Sequence, residues 1–145
     1  MRPRQDPLGL DVARTGRLVH RAFDQQLVAA GGSLPMWLIL IALKGGEHTM
    51  QRDLATSIGI EDATLTHHLN RMAHDGLIER HRDPANRRNQ IVTLTAAGEA
   101  LFATLLTTVT AFDRRIRVGF SATELDTVRQ LLARLRTNVE EDTAR

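Results

Sequence analysis

The sequence contains no cysteine and no tyrosine, one tryptophan, one lysine and only 3% aromatic residues in 145 positions. Without thiols there is no disulfide, no thiol nucleophile, no thiol-based peroxide sensor and no cysteine-ligated zinc. Long apolar runs are missing too. The longest, Met36 to Leu43, falls far short of a membrane span, and Met1 to Gly9 lacks the apolar stretch of a signal peptide. No membrane partner is expected, and the cytoplasm is the expected location. There is also no glycine-rich phosphate loop, nucleophile elbow or paired-carboxylate motif, so an enzyme is not expected. His67, His74 and His81 are spaced by seven, but His81 falls beyond the helix and no carboxylate completes a ligand set. Neither metal nor cofactor is expected.

What is present is an ordinary globular balance, 42% hydrophobic and 25% charged, in a chain long enough to bury about two thirds of its unfolded surface. Eighteen of the nineteen basic residues are Arg, and against seventeen acids they leave a formal charge of only +2. Net charge therefore decides nothing about nucleic acid. The placement of the charges has to.

The segment Arg2 to Pro7 is charged and broken by prolines, and it reads as a mobile arm. Apolar residues Leu18, Val19, Ala22, Phe23 and Leu27 then recur at three and four, predicting a helix over 10–30 that stops at Gly31-Gly32. Ser33 with Pro35 opens a second helix, apolar on all sides and so buried on all sides, ending at Gly45-Gly46. Thr49 is placed to cap a third, with Met50, Leu54, Ala55 and Ile58 inward and Gly59 as its stop. Asp62 looks like the cap of a fourth, where Leu65, Leu69 and Met72 hold the pattern to Asp75-Gly76. Two short helices joined by Gly59-Ile60-Glu61 make a helix-turn-helix. Leu77 to Arg82 and Gln90 to Leu94 are extended flanks of a turn-rich loop, which predicts a hairpin. Thr95 caps a helix to about Val118 with Phe102, Leu105, Val109, Phe112 and Ile116 along one seam. Ser121 to Glu124 is a capping box opening a last helix with Leu125, Val128, Leu132, Leu135 and Val139 along another.

On a helical wheel the fourth helix separates cleanly. Ala63, Thr64, His67, Asn70, Arg71 and His74 lie opposite the apolar row, and this outer face carries no acid. Seen alone it suits a solvated surface as well as a DNA groove. Its neighbour tips the balance, because between Arg80 and Arg88 four Arg stand against the single acid Asp83, a local +3. Methyls, donors and a guanidinium suit base edges in a major groove, and a basic wing suits a minor groove or phosphates.

Ser57-Ile58-Gly59-Ile60-Glu61, Leu69-Asn70-Arg71-Met72-Ala73-His74-Asp75-Gly76-Leu77-Ile78-Glu79-Arg80, Asn86-Arg87-Arg88 and Leu94-Thr95-Ala96-Ala97-Gly98 resemble the MarR family of winged-helix regulators, its SlyA-like branch most. Pro7-Leu8-Gly9, Ala13-Arg14 and Trp37 extend the likeness over most of the chain. The resemblance implies a mainly α fold with a small β-hairpin wing. The winged helix would span 46–97, and helices over 8–45 and 98–141 would form a dimerisation platform. It implies a homodimer on double-stranded DNA, reading a pseudo-palindrome with half-sites about 10 bp apart, and repression as the regulatory outcome. The DNA-contacting candidates are Gln51, Arg52, Ala63, Thr64, Thr66, His67, Asn70, Arg71, Arg82, Arg87 and Arg88, with Arg88 in the minor groove and Arg87 on the backbone. Family wings usually carry Asp at the position of Asn86, where the acid orients a wing arginine, so an amide is expected to leave Arg88 more loosely held. The resemblance also implies a small aromatic carboxylate or phenolic effector, with Arg17, His20 and Arg21 beside Met36, Trp37 and Ile41 as its wall. The competing reading is a winged-helix protein-interaction module without specific DNA binding, which would favour a neutral or acidic face and wing.

Overall fold

The structure, a computed structural model, describes residues 7–46 and 50–143, with side chains described to residue 140. The arm up to Asp6 and the cap expected at Thr49 lie outside the described residues. The chain divides into two compact units, Met1–Thr110 and Ala111–Arg145.

In the first unit α1 (Leu8–Ala29) and α2 (Leu34–Gly45) meet at 76°. The bend is held by side chains at the start of α2. Ser33 Oγ accepts the Met36 N–H at 3.3 Å, as its sequence position predicts, and Asp24 Oδ1 of α1 accepts the Leu34 N–H at 2.9 Å. Helices α3 (Gln51–Ile58) and α4 (Asp62–His74) follow, then strands β1 (Ile78–Arg82) and β2 (Gln90–Leu94) and the helix α5 (Ala96–Ile116). Gly59 takes φ +70 at the end of α3, a conformation that β-carbon sterics disfavour, and so turns the chain directly into α4. The cap expected at Asp62 falls one position earlier. Met50 and Glu61 occupy the N-cap sites of α3 and α4, both in extended backbone and neither with a side-chain cap bond. Asp62 instead sits in the first turn of α4, where a carboxylate meets the positive end of the helix.

The strands pair antiparallel with Ile78 opposite Leu94, Arg80 opposite Val92 and Arg82 opposite Gln90. Met50 adds a single bridge to Ile91, tying the entry of α3 to the hairpin. One core runs through the unit: Leu27 of α1, Ile39, Leu40 and Leu43 of α2, Leu54 of α3, Leu65, Leu69 and Met72 of α4, Ile78 and Val92 of the hairpin, and Leu105 of α5. It joins α1 and α2 to α3, α4 and the hairpin through shared buried side chains.

The join between hairpin and α5 is tight. Thr95 Oγ1 donates to the Gly76 carbonyl at 2.6 Å and accepts the Gly98 N–H at 3.1 Å, while the Thr95 N–H reaches the Leu77 carbonyl at 3.1 Å. A β-carbon on Gly98 would run into the Leu77 carbonyl oxygen.

In the second unit, α5 ends and α6 (Ala122–Thr143) begins at the expected capping box. The Ser121 N–H donates to Glu124 Oε2 at 2.8 Å and the Glu124 N–H to Ser121 Oγ at 3.1 Å. Several residues assigned to apolar seams are exposed: Leu18 and Val19 in α1, Ile116 in α5, Val128, Leu132 and Val139 in α6. Periodicity marks a face that excludes water best when covered, and a single chain does not cover these. Nor is α2 buried on every side, since Ile41 is 43% exposed.

Gly98→Ala is expected to destabilise the fold by about 1–3 kcal/mol, because the obstacle is backbone that cannot yield. Urea unfolding followed by circular dichroism measures it, and an unchanged midpoint would contradict the close approach.

Candidate nucleic-acid interface

The row Leu65, Leu69, Met72 is fully buried, at 0%, 0% and 1% exposure, and each side chain contributes about 1.5–3 kcal/mol by leaving water. Fixing that row fixes the opposite one. Ala63, Thr64, His67, Asn70, Arg71 and His74 are all exposed on α4, as the wheel predicts. The expected outer face is therefore a real surface, held by packing rather than by its own contacts.

Thr66 and Gln51 stand elsewhere. Thr66 is half-buried, its hydroxyl accepts from Gln51 Nε2 at 3.1 Å, and its carbonyl lies 3.5 Å from Arg80 Nη2. This pair braces α3 against α4 and sets the angle between them. Arg52 is exposed at the start of α3, beside Asp53 at 3.6 Å.

The wing carries Arg82, Arg87 and Arg88 in exposed positions. Its tip is built from side-chain turns: Asp83 Oδ1 accepts the Ala85 N–H at 2.9 Å, and Asn86 Oδ1 accepts the Arg88 N–H at 3.1 Å. The Asn86 side chain thus acts on the loop backbone rather than on the Arg88 guanidinium. Arg88 lines a cleft of about 460 Å³ with Met50, Gln51, Arg52, Asp62 and Arg80. Arg80 is the residue that pattern reading passed over. It was counted in the charge of the wing, yet as the second residue after buried Ile78 it lies on the strand's inner face, a signal the two-residue period carries.

The six residues of the expected effector wall do not come together. Arg17, His20 and Arg21 share a shallow groove along α1 with Asp24. Trp37 is 6% exposed and stacks on Phe102 of α5 at 5.4 Å between ring centroids, so it is core. Met36 lines a separate cleft of about 470 Å³ with Asp24, His67, His68 and Arg71, and Ile41 faces outward. An all-apolar helix buries its largest ring in preference, which is why Trp37 was claimed by the interior.

Among the described residues no group of three His, Cys, Asp or Glu is placed to hold a metal ion. No single helix there is long and apolar enough to cross a membrane.

A buried apolar row, an acid-free outer face and an arginine-bearing antiparallel hairpin, in that order, between long flanking helices, decide the architecture. The fold is the MarR-type winged helix. Residues 33–89 match the model of the MarR family. A probable transcriptional regulator from Pseudomonas aeruginosa is 27% identical, over 90% of this chain and 97% of that one, with a TM-score of 0.79. The transcriptional repressor CouR, solved bound to a 23-mer DNA duplex, superimposes with a TM-score of 0.83 at 24% identity, covering 90% and 92%. BpsR from Bordetella bronchiseptica, studied for regulation of its DNA binding by 6-hydroxynicotinic acid, gives 0.82 at 21%, covering 94% and 97%. The MarR-type fold extends beyond the matched segment on both sides, through α1 and α5.

On the inner flank of α4, His68 sits half-buried with its ring 5.6 Å from that of His67. Burial lowers its pKa below the ordinary 6.5, and the neighbouring His67 and Arg71 push in the same direction. A depressed folded-state value means that this group's contribution to stability is complete above the ordinary pKa. It is lost as pH falls through the folded value, because the unfolded chain takes up the proton first. The melting temperature is expected to drop on acidification from about pH 7 to about pH 5, and the drop is expected to be shallower in His68→Gln. Identical pH profiles for the two proteins would contradict the assignment.

Proposed function

We propose that this chain is a MarR-family, SlyA-like transcriptional regulator of the cytoplasm that binds double-stranded DNA as a homodimer and represses from a pseudo-palindromic operator. The observation that carries the reading is the exposed face of α4, free of acids and presented beside a basic wing by a row of buried side chains. Thr64, His67 and Asn70 read base edges in the major groove. Ala63 offers a methyl, and Arg71, Arg82 and Arg87 take phosphates. Arg88 serves the minor groove, and Gln51 and Thr66 position the two helices while Gln51 faces the backbone.

The dimer reading is supported by apolar side chains exposed within each unit. Leu8 and Leu18 of α1 are 64% and 67% exposed, and Val118 and Phe120 beside α6 are 75% and 50%. A second copy supplies the cover that one chain lacks. For the effector, the groove of Arg17, His20 and Arg21 retains the chemistry that suits a small aromatic carboxylate or phenol.

Enrichment of genomic fragments followed by footprinting tests the function, and failure to recover any palindromic site at moderate salt would refute it. With a site in hand, Thr64→Ala or His67→Ala is expected to cost about 1–3 kcal/mol on that site and little on random duplex. Arg87→Ala is expected to weaken all sequences alike and to flatten the salt slope by about 1. Equal losses on cognate and random DNA in every variant would remove direct readout by the α4 face.

A further inference from the structure

A second cleft, of about 470 Å³, separates α4 from the corner where α1 turns into α2. His67, His68 and Arg71 face it from α4, Asp75 from the end of that helix and Asp24 from α1, while α2 brings only Pro35 and Met36. Met72, whose burial seats α4, borders it as well. Asp24 is already engaged, since its Oδ1 accepts the Leu34 N–H at 2.9 Å where α1 turns into α2. Among the described residues Asp24, Arg71 and Asp75 form no ion pair. The cleft therefore changes sign with two protons. With both imidazoles neutral one cation faces two carboxylates, and with both protonated three cations face two.

The two histidines stand in opposite situations. His67 is exposed on the outer face of α4, and a proton there adds a charge toward an approaching duplex. His68 is half-buried on the inner flank, its ring edge-on to that of His67 at 5.6 Å. Neutral rings attract in this arrangement, and two imidazolium rings repel. Burial, His67 and Arg71 all hold the proton off His68. Once it binds, Pro35 and Met36 give it no acceptor across the cleft from α2, and Asp24 answers it only in competition with the Leu34 N–H. Lifting the inner flank of α4 into water relieves the charge.

We propose that this cleft is a proton-operated release for α4: neutral His68 keeps the helix seated against the α1–α2 corner, and protonated His68 unseats it. The proposal rests on the DNA-binding reading above and adds its regulation by pH. Acid then acts on the two sides of one helix in opposite directions. His67 strengthens attraction to the duplex, while His68 loosens the presentation of the face that reads it.

The test has two arms, both on the full chain. Amide hydrogen exchange of the free protein measures the seating, and from about pH 7 to about pH 5.5 the opening equilibrium at Leu69 and Met72, corrected for the intrinsic rate, is expected to rise severalfold more than that at Leu105 of α5. His68→Gln is expected to abolish this local rise, and Arg71→Gln, which removes one repelling cation, to reduce it. Circular dichroism melting shows whether each variant is folded, and if His68→Gln is not, Arg71→Gln carries the exchange arm. Duplex affinity at constant ionic strength is expected to fall severalfold over the same range for the wild-type protein and to rise for His68→Gln, in which the outer-face His67 and His74 still take up protons. No local rise in exchange, or the full rise in both variants, would overturn the release, as would parallel pH curves of duplex affinity for wild type and His68→Gln. A wild-type protein that binds no duplex at any pH would refute the DNA-binding reading alone, and the exchange arm would still decide whether His68 unseats α4.

Discussion

Three side chains, Leu65, Leu69 and Met72, set the position of everything the surface offers. They seat α4 on α2, and because a helix is rigid, their burial dictates which six residues face outward and at what angle. The bracing contacts are arranged around that seat. Gln51 holds α3 to α4 through Thr66, Met50 ties α3 to β2, and Thr95 fastens the end of α4 to the start of α5. None of these bonds is strong alone. Together they tie α4 to α3, and the helix pair to the hairpin and to the start of α5.

The elements of the fold were legible because their signals are local and agree with one another: the three-and-four spacing, the Gly stops, the Ser33 cap, the Ser121–Glu124 box, and alternation around a turn-rich loop. Legibility failed where one residue had to be assigned between competing claims. Trp37 next to arginines suggests a ligand wall, yet the core takes a large ring first, and only the position of Phe102 in space shows that. Asp62 is a good capping type, but the cap falls on Glu61, which the preceding turn leaves extended. The exposed members of α1 and α6 have the spacing of buried ones, since the pattern is the same whether a face is covered by the same chain or by another.

The arginines divide by how they are held rather than by how they are spaced. Arg82 and Arg87 stand in water, where they act as diffuse attraction that salt screens. Arg80 is anchored by a strand, with its Nε shut off from solvent and its Nη2 on the Thr66 carbonyl. The excess of +2 is small because nineteen basic residues face seventeen acids. Within the hairpin four Arg stand against Glu79 and Asp83.

The stack of Trp37 on Phe102 also gives the molecule a spectroscopic character. With no tyrosine and one tryptophan in the chain, all indole emission comes from a single ring wedged between α2 and α5, beside the Lys44 ammonium that caps the Phe102 face at 5.5 Å and pairs with Glu99. Any event that slides α5 along α2 must change the wavelength or quenching of that one emitter, so the motion between the shared core and the long helix has a built-in optical reporter that needs no label.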